Sequence, residues 1–476
     1  MSDFTVLDVA RATGAHVVAP AGAAALERAV TGAALDSRRA GAGRVFVPLP
    51  GTRADGHDFI GEALQAGAPA SFCARVRQDA VTAALKGGDL PAGCALLVVE
   101  DPEAALVKWA EARRATWFGE LVGIVGSNGK TTTKEMLASI LSQRATTLKT
   151  EGNLNNHLGV PVTLTRLNDA ARHAVVEIGM NHAGEVRKLA HLARPTAAII
   201  TNIGAEHLEG LGTLDEVARA EAEIGEALPP GAPLVVPGDE PRLGPWLRPL
   251  RARLVTFALV PGSDFVADDL ELLGAEGMRF RVSGFPLLTV PVPGRHSVTN
   301  ALAAIALARQ FGLTPAECAK GLAAMPQPAG RMEVARWGGV TVLLDHYNAN
   351  PGSMDAGLDA LEAWPNARRR YAALGDMLEL GAAAPDYHGA LGRRLPRLDG
   401  AFLWGPLMAR AAAEAGGSGR IQHFESRDAL GRALLAQLGD GDVVLIKGSR
   451  GSAMEEVAKL LEGTLKSRTI AAGEGR

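Results

Sequence analysis

The glycine-rich run at residues 123–133 constrains this chain more than any other feature. It follows the apolar segment 121–125 and opens a segment with apolar side chains at helical spacing. A strand, a glycine-rich turn and a helix start together bind polyphosphates, because glycines admit close backbone approach and the helix N-terminus attracts anions. In this geometry Lys130 contacts the β- and γ-phosphates and the Thr131 hydroxyl binds Mg²⁺. The run therefore predicts a nucleoside triphosphate site.

The glycine spacing departs from the strict Walker pattern. That pattern needs a glycine five residues before Gly129, where this chain has Ile124, and the glycines fall instead at positions 123, 126 and 129. The alternative is a tightly packed turn between strand and helix that binds nothing. Gly-Lys-Thr at a strand-to-helix junction favours the phosphate interpretation.

Composition narrows the class of protein. A chain of 476 residues exceeds one ordinary core and predicts two to four domains. A net charge of −3 and an aromatic content of 4% give no basic or stacking surface, so we expect no nucleic-acid partner. Cys73, Cys94 and Cys318 are widely spaced and indicate reduced core thiols. With no long apolar run and no leader pattern, we expect a cytoplasmic protein without a membrane span, and a monomer.

Strands and helices alternate along most of the chain. Up to about residue 100 the pattern is of short strands and helices, and 101–118 reads as a connecting helix with Pro102 in its first turn. The predicted strands beyond it are 121–125, 175–178, 197–203, 234–236, 340–344, 371–374, 401–404 and 443–446. Residues 265–293 suggest an antiparallel addition. This alternation predicts an α/β protein with a mainly parallel sheet.

We divide the chain into three predicted domains. Residues 1–100 form a small α/β domain, and residues 101–328 form a central, doubly wound, mainly parallel sheet that carries the phosphate loop. After the break at 326–328 the alternation restarts, and residues 329–476 form a Rossmann-like α/β domain.

Polar clusters follow the predicted strands, at the edge where such sheets bind ligands. Glu177 and His207 end two strands of the domain that holds the phosphate loop. A carboxylate such as Glu177 beside Thr131 suits Mg²⁺, which prefers oxygen ligands. His207 is either a metal ligand, a donor to phosphate, or a structural hydrogen-bonding residue.

Other polar segments are less specific. Residues 150–157 are rich in asparagine and are either a solvated loop or a substrate clamp. Segments 36–38 and 55–57 would count as turns if taken alone. In the last domain, Asp345 would accept from a ribose, Arg331 would reach a γ-phosphate, and the strand end 447–450 supplies cations suited to a carboxylate substrate.

Together these segments resemble the Mur ligases, the amide ligases of peptidoglycan synthesis, over nearly the whole chain. The spacing of residues 126–131 is that family's variant of the phosphate loop, which accounts for Ile124. The other matching segments of the first two domains are 36–38, 55–57, 153–161, 177–181, 202–207 and 294–300. Segments 347–351 and 447–450 look most like the member that joins D-Ala-D-Ala to UDP-MurNAc-tripeptide.

The resemblance implies a three-domain fold, ATP and Mg²⁺ as cofactors, and UDP-MurNAc-tripeptide and D-Ala-D-Ala as substrates. The implied reaction proceeds through an acyl phosphate and gives the pentapeptide precursor of the cell wall. The implied ATP-binding residues are Gly126, Ser127, Asn128, Gly129, Lys130, Thr131, Thr132, Asn300, Arg331 and Asp345. The implied catalytic residues are Lys130, Glu177, His207, Glu221 and Arg331, and the implied metal ligands are Thr131, Glu177, His207 and Glu221.

The implied substrate-binding residues come from all three predicted domains. Those of the first two domains are Ser37, Arg38, Asp55, Gly56, His57, Asn153, Asn155 and Asn156. Those of the last domain are Tyr347, Asn348, Asn350, Lys447, Ser449 and Arg450.

One position departs from the family pattern. Where the family commonly has a lysine that is carbamylated to bind metal, this chain has Glu221. We expect Glu221 to supply that anionic oxygen directly. The alternative is that Glu221 is an exposed helix residue.

Two other functions compete with this interpretation. One is a different three-domain amide ligase, of the folylpolyglutamate or another Mur type, against which segments 347–351 and 447–450 argue. The other is a non-catalytic nucleotide-binding scaffold. The residues that argue against it are Lys130, Thr131, Glu177 and His207.

Overall fold

The computed structural model describes residues 4–20, 23–41, 43–51, 54–85, 90–416 and 419–473, with side chains as far as residue 467. The chain folds into two compact units. The first comprises Met1–Gly123, Ala145–Gly179 and Arg187–Ala197. The second comprises Ile124–Arg144, Met180–Val186 and Ala198–Arg476. Each unit is an α/β structure with mainly parallel sheets.

The first unit contains a five-stranded sheet. Its strands are β1 (His16–Val18), β2 (Gly32–Ala34), β3 (Arg44–Phe46), β4 (Ala70–Ala74) and β5 (Ala95–Val99), with β7 (Thr147–Lys149) and β8 (His173–Glu177) elsewhere in the unit. Its helices are α1 (Val6–Thr13), α2 (Ile60–Gln65), α3 (Gln78–Ala84), α4 (Pro102–Thr116) and α6 (Gly159–Thr165). The sheet order is β1-β5-β4-β3-β2, with β1 antiparallel to β5, whereas β7 and β8 pair in parallel.

Local signals explain several of these elements. The Asp101 carboxylate accepts from Glu103 N at 2.8 Å and Pro102 occupies the first turn, so α4 begins where predicted. Trp109 of α4 is fully buried and packs edge-on against Phe72 of β4, with ring centroids 6.4 Å apart. The predicted connecting helix is therefore also part of the core of the first unit.

Three elements run from one unit into the other along the chain: β6 (Glu120–Val125), α7 (Glu185–Ala193) and β9 (Ala197–Ile200). The first part of the second unit contains β10 (Pro233–Pro237), β11 (Arg253–Ala258), β12 (Phe265–Leu272), β13 (Met278–Val282) and β14 (Leu288–Val290). Its helices are α5 (Lys130–Leu141), α8 (Leu208–Leu211), α9 (Leu214–Ala222), α10 (Gly244–Leu247), α11 (Arg295–Gln310) and α12 (Pro315–Ala323).

These strands form a continuous run in the order β14-β13-β12-β11-β10-β9. Pairing is parallel from β9 to β12 and antiparallel through β13 and β14, so the predicted antiparallel addition at 265–293 is confirmed. Strand β9 ends at Ile200, earlier than the predicted 203, because Thr201 and Asn202 turn towards the phosphate loop. The almost wholly buried helix α11 packs against this sheet and against α5.

The last part of the second unit is a six-stranded sheet in the order β15-β16-β20-β17-β18-β19. Its strands are β15 (Glu333–Trp337), β16 (Val340–Asp345), β17 (Arg370–Gly375), β18 (Gly400–Trp404), β19 (Ile421–Phe424) and β20 (Val443–Lys447). Its helices are α13 (Pro351–Glu362), α14 (Ala384–Arg394), α15 (Met408–Glu414), α16 (Arg427–Gln437) and α17 (Glu455–Gly473). All pairs are parallel except β15 with β16, which places the ends of β16, β17 and β20 side by side.

Two further expectations concern the chain as a whole. Cys73, Cys94 and Cys318 are buried with free thiols, as predicted. Among the residues described, no helix combines the length and apolarity needed to cross a bilayer.

Candidate active site

The turn between β6 and α5 requires glycine at two positions. Gly126 has φ +120° and Gly129 has φ +82°, which other residues rarely adopt. A Cβ at Gly126 would lie 2.1 Å from Thr201 Oγ1, and one at Gly129 would lie 2.2 Å from Asn300 Oδ1. Ile124 needs no such freedom, because it lies in β6 with its side chain fully buried. The structure thus accounts for the spacing of the glycines at 126 and 129.

The turn is held against the residues that follow β9. Ser127 N donates to Asn202 O at 3.0 Å, and Asn128 N donates to Asn202 Oδ1 at 2.9 Å. Thr201 Oγ1 and Asn202 Nδ2 both donate to Asn128 O, at 2.6 and 3.0 Å. The sequence analysis assigned no role to Thr201 or Asn202. Their position at a polar strand end was the one sequence feature that could have indicated a contact with the phosphate loop.

Lys130 is the first residue of α5 and its ammonium turns back onto the loop. Its Nζ donates to Gly126 O at 2.5 Å and to Ser127 O at 3.3 Å, and it lies 3.6 Å from Glu206 Oε1. A cation at the positive end of a helix is unfavourable unless anions neutralise it. Glu206 is 8% exposed, so Lys130 and Glu206 form a largely buried charged pair beside the loop.

Glu221 lies beneath the phosphate loop. Its side chain belongs to α9, is 1% exposed, and accepts from Gly126 N at 2.9 Å through Oε2. Burial raises the pKa of Glu221 to about 8, with the nearby Glu206 carboxylate adding to the rise and Lys130 opposing it. The alternative that Glu221 is an exposed helix residue is therefore wrong. The role as metal ligand stays a prediction.

His207 is held by Glu379, a residue of the loop that follows β17. Its Nδ1 lies 2.7 Å from Glu379 Oε2, and its Nε2 lies 3.9 Å from Glu206 Oε2. Burial lowers the pKa of His207, but the hydrogen bond to Glu379 and the two carboxylates outweigh burial and raise it overall. His207 also has φ +49°, a conformation that its surroundings must maintain. Glu379, to which the sequence analysis assigned no role, is thus a partner of the predicted histidine.

The last sheet presents a buried ion pair where a substrate cation was predicted. Lys447 Nζ lies 2.7 Å from Asp345 Oδ2 and donates to Asn348 O at 3.0 Å, and its side chain is 1% exposed. Asp345 also accepts from Met332 N at 3.1 Å. Ser449 Oγ donates to Ala349 O at 2.9 Å. These bonds fix the segment 347–350 against the end of β20.

Two guanidinium groups meet at one aromatic ring. The Arg331 guanidinium carbon lies 4.0 Å from the centroid of the Tyr347 ring, and that of Arg450 lies 5.9 Å from the same centroid. Arg450 is 69% exposed, whereas Lys447 is buried. The exposed cation at this strand end is therefore Arg450.

Asn300 and Asn350 come from different parts of the second unit and both lie beside the loop. Asn300, on α11, is buried next to Gly129. Asn350 Nδ2 donates to Asn128 Oδ1 at 2.9 Å. Thr131 and Thr132, in the first turn of α5, are nearly buried, and Asn348 is exposed. The structure therefore brings together most of the predicted ATP-binding residues within one unit.

The first unit contains the remaining predicted residues. Glu177, at the end of β8, accepts from Asn155 Nδ2 at 2.9 Å, and its N–H donates to Thr150 Oγ1 at 3.0 Å. Asn156 Oδ1 accepts from Gly159 N at 2.9 Å at the start of α6, and Asn153 O accepts from Asn155 N at 2.8 Å. The asparagine-rich segment is thus ordered by its own amides rather than being a simple solvated loop.

The two glycine- and aspartate-containing turns near the amino terminus are also self-bonded. His57 is buried, with Nδ1 2.7 Å from Asp55 Oδ1 and Nε2 accepting from Ala74 N at 3.0 Å. A Cβ at Gly56 would lie 2.6 Å from Leu49 N, so glycine is needed there. These residues therefore have structural roles, and their contact with substrate stays a prediction.

Arg38 and Ser37 lie on the surface of the same unit. Arg38 is 82% exposed and is held by Asp36 at 2.7 Å. Sequence reasoning missed the cluster in which Glu151 lies 2.8 Å from Arg166, 3.4 Å from Arg39 and 3.6 Å from Arg44. Its residues are far apart in sequence, so no local pattern indicated it.

The described residues contain no group of three or more histidine, cysteine, aspartate or glutamate side chains arranged to hold a metal ion. In the second unit, the Thr131 hydroxyl and the carboxylate of Glu206, which pairs with Lys130, are oxygens near the phosphate loop of the kind that Mg²⁺ prefers. Glu177, His207 and Glu221 stay predicted ligands.

Comparison with known proteins identifies the family. Family models match residues 29–114 (Mur ligase family, catalytic domain), 124–308 (Mur ligase middle domain) and 330–450 (Mur ligase, glutamate ligase domain). The UDP-N-acetylmuramoyl-tripeptide–D-alanyl-D-alanine ligase of Escherichia coli is 36% identical over 438 residues, or 90% of this chain and 92% of that protein. The chain belongs to the Mur ligase family.

Other relatives agree with this Mur ligase assignment. The ligase of the same name from Bacillus subtilis is 34% identical over 92% of this chain and 94% of that protein. The crystal structure of MurF from Acinetobacter baumannii has a TM-score of 0.81 and 30% identity, covering 97% of this chain and 99% of that chain. MurF from Thermotoga maritima in complex with ADP has a TM-score of 0.77 and 29% identity, covering 92% and 99%. The predicted three-domain α/β fold is confirmed.

A folylpolyglutamate synthase shows how far the fold extends beyond this group. The Mycobacterium tuberculosis enzyme, complexed with ADP and AMPPCP, has a TM-score of 0.61 at 20% identity, covering 76% of this chain and 94% of that chain. At that identity the likeness concerns the fold alone. It does not support the competing folylpolyglutamate function for this Mur ligase.

Replacing Glu221 with glutamine is expected to stabilise this Mur ligase increasingly as pH rises. Glu221 binds its proton in the folded state up to about pH 8, whereas the unfolded chain releases it near the ordinary value of 4.5. Rising pH between these values therefore favours unfolding, and glutamine, which still accepts from Gly126 N, removes that effect. We expect a gain of roughly 2–4 kcal/mol at pH 8 that vanishes near pH 4, measured by urea denaturation across this range.

The same variant tests the predicted metal ligand. If wild type and Glu221→Gln had equal denaturation curves at every pH, Glu221 would not have the raised pKa that burial gives it in the folded protein. Full activity of Glu221→Gln at limiting Mg²⁺ would contradict the ligand role. The nearby Glu223→Gln is a control, because Glu223 accepts from Gly184 N rather than from the phosphate loop.

Proposed function

We propose that this Mur ligase joins D-Ala-D-Ala to UDP-MurNAc-tripeptide with hydrolysis of ATP to ADP and phosphate. The observation that carries the proposal is a complete phosphate loop, with Lys130 and Asn300 beside it, in a unit that also holds the segments 347–350 and 447–450. The ligases named above, whose identity to this chain extends over at least 90% of it, support the same substrates.

The reaction proceeds in two balanced steps. The terminal carboxylate of the tripeptide attacks the γ-phosphorus of ATP, the bond to the bridging oxygen breaks, and ADP leaves. The amino group of D-Ala-D-Ala then attacks the carbonyl of the acyl phosphate, loses a proton, and expels phosphate. The first step brings two anionic groups together and the second expels an anionic phosphate, so positioning and charge neutralisation carry the catalysis.

The residues of the second unit supply that neutralisation. Lys130 and the N-terminus of α5 face the position of the polyphosphate, and Arg331 adds a second cation from the last sheet. Within the second unit, Thr131 and Glu206, with the predicted ligands His207 and Glu221, would hold Mg²⁺. When bound, Mg²⁺ would further neutralise the phosphate oxygens. Glu221 accepts from Gly126 N and so holds the phosphate loop, and Glu379 orients His207.

The defining experiment measures phosphate release. We expect release only when ATP, UDP-MurNAc-tripeptide and D-Ala-D-Ala are all present, and the assay run with meso-diaminopimelate and L-lysine tripeptides will identify the preferred form. Release that depends instead on a folate and L-glutamate would overturn the proposal. Binding of ATP without release in the presence of any acceptor would indicate a scaffold.

We expect Arg450, rather than Lys447, to bind the carboxylate of D-Ala-D-Ala. Lys447 is already neutralised by Asp345 in a buried pair, whereas Arg450 is exposed beside Tyr347. Arg450→Ala should raise the KM for D-Ala-D-Ala roughly ten- to hundredfold, the value of a hydrogen bond to a charged group, and leave the KM for ATP unchanged.

The acceptor amide provides the matched control for this assignment. D-Ala-D-Ala amide lacks the carboxylate, so wild type and Arg450→Ala should use it equally poorly. An unchanged preference for the acid over the amide in Arg450→Ala would exclude Arg450 as the anchor. Lys447→Met, by contrast, should lower the melting temperature because it leaves Asp345 buried without its partner.

A further inference from the structure

One hydrogen bond joins the phosphate loop to the last sheet domain. Asn350 Nδ2 donates to Asn128 Oδ1 at 2.9 Å, across 222 residues of sequence. The main-chain N–H and C=O of Asn128 are already bonded to Asn202 and Thr201. The Asn128 side chain is thus available for a contact outside the turn, and it makes that contact with Asn350.

Asn350 is well suited to report on the loop because it is itself rigid. It is the N-cap of α13, where its Oδ1 accepts from Ser353 N at 2.9 Å and its N–H donates to Ser353 Oγ at 3.0 Å. Asn350 is 5% exposed. A movement of Asn128 is therefore passed to the start of α13 rather than absorbed by a mobile side chain.

The residues before Asn350 extend the connection to the cations at the end of β20. Ala349 O accepts from Ser449 Oγ at 2.9 Å, and Asn348 O accepts from Lys447 Nζ at 3.0 Å. Tyr347 N donates to Gly330 O at 3.1 Å. The segment 347–350 is thus bonded at one end to the phosphate loop and along its length to the strand end that carries Arg450.

We propose that Asn350 is a positioning residue that couples nucleotide binding at the phosphate loop to the order of segment 347–350. Nucleotide bound at the loop fixes Asn128, Asn128 fixes Asn350, and the segment is held in place for the second substrate. The proposal rests on the proposed function only in taking ATP as the nucleotide. Such coupling is a free energy that links the two sites. If nucleotide favours the ordered segment 347–350, then the ordered segment equally favours nucleotide binding.

The chain offers variants that separate the coupling from helix capping. Asn350→Ser keeps a good N-cap but loses the donor to Asn128, because serine is as favourable as asparagine at that position. Ser353→Ala is the matched control, since it weakens the same cap and keeps the bond between Asn350 and Asn128.

Amide hydrogen exchange with a non-hydrolysable ATP analogue and Mg²⁺ tests the proposal without any acceptor. In wild type and Ser353→Ala, the analogue should slow exchange across residues 347–353. In Asn350→Ser the analogue should still bind with similar affinity but no longer slow exchange there. Equal protection in Asn350→Ser, or no protection in wild type, would overturn the proposal.

Steady-state kinetics provide a second measurement. Asn350→Ser and Asn128→Ser should each lower kcat/KM for D-Ala-D-Ala about tenfold, and the double variant should be no worse than either, because both remove the same bond. Fully additive effects would contradict the coupling. If phosphate release fails in wild type while the exchange result holds, the proposed substrates are wrong and the coupling stands.

Discussion

Lys130→Met is expected to lower kcat by about 10²–10³, the effect of removing one preorganised charge from a reaction between anions, and also to lower the melting temperature. Lys130 lies at the N-terminus of α5, where a cation is unfavourable in the folded protein without anions nearby. Its Nζ contacts two loop carbonyls and Glu206. Removal of the charge should therefore abolish most of the catalysis, and because it also leaves the buried Glu206 without its ion-pair partner, it should lower the stability of the fold.

The measurement is phosphate release at saturating substrates, together with the melting temperature. Arg144→Met is the control, because Arg144 lies beyond the other end of α5 and pairs with Glu317 at the surface. Arg144→Met should leave kcat unchanged. A Lys130→Met enzyme with wild-type kcat would show that the lysine does not neutralise the transferring phosphoryl group.

Gly126→Ala is expected to destabilise the protein by roughly 2–4 kcal/mol and to abolish measurable ATP binding, through strain and overpacking. The new Cβ would lie 2.1 Å from Thr201 Oγ1 and 2.7 Å from Thr201 N, at φ +120°. Thr201 cannot move aside without losing its bonds to Val125 O and Asn128 O. The loop itself must shift, and its N–H groups then no longer face a phosphate.

Gly231→Ala isolates the cost of a positive φ angle from the cost of the clash. Gly231 has φ +78° and no atom within 4 Å of the Cβ position. We expect that variant to lose about 1 kcal/mol and to bind ATP normally. Urea denaturation and titration with an ATP analogue measure both quantities. Similar losses in the two variants would mean that the phosphate loop adjusts to the alanine.

The glycine-rich run was sufficient to predict the nucleotide site because its signal is local. Each part of it, the buried strand β6, the glycines at 126 and 129, and the helix beginning at Lys130, depends on neighbours within a few residues. The connecting helix α4, with Asp101 as its N-cap, was predictable for the same reason.

Two features escaped prediction. Strand β15 (Glu333–Trp337) has a weakly apolar, half-buried pattern, and its antiparallel pairing with the next strand, β16, decides its conformation. The end of β9 was placed too late, because the bonds of Thr201 and Asn202 to the phosphate loop, 73 or 74 residues earlier, bend the chain there.

The predicted roles of Glu221 and Lys447 also show that local sequence patterns and tertiary contacts determine different things. The resemblance to the Mur ligases suggested Glu221 as a metal ligand, and a cation at a strand end suggested that Lys447 binds a substrate carboxylate. Only the tertiary structure shows that Glu221 accepts from Gly126 N and that Lys447 is neutralised by Asp345. Burial decides what a charge does, because a desolvated group must be neutralised or hydrogen-bonded within the protein.

The sequence by itself determined the phosphate loop, the α/β alternation and the resemblance to the Mur ligases. Each of these depends on which residue types occur within short stretches of the chain. The tertiary structure alone decided which polar residues meet, namely Asn128 with Asn350, His207 with Glu379, and Lys130 with Glu206. The first two pairs join residues more than a hundred positions apart, and such contacts follow from how strands and helices pack rather than from any local pattern.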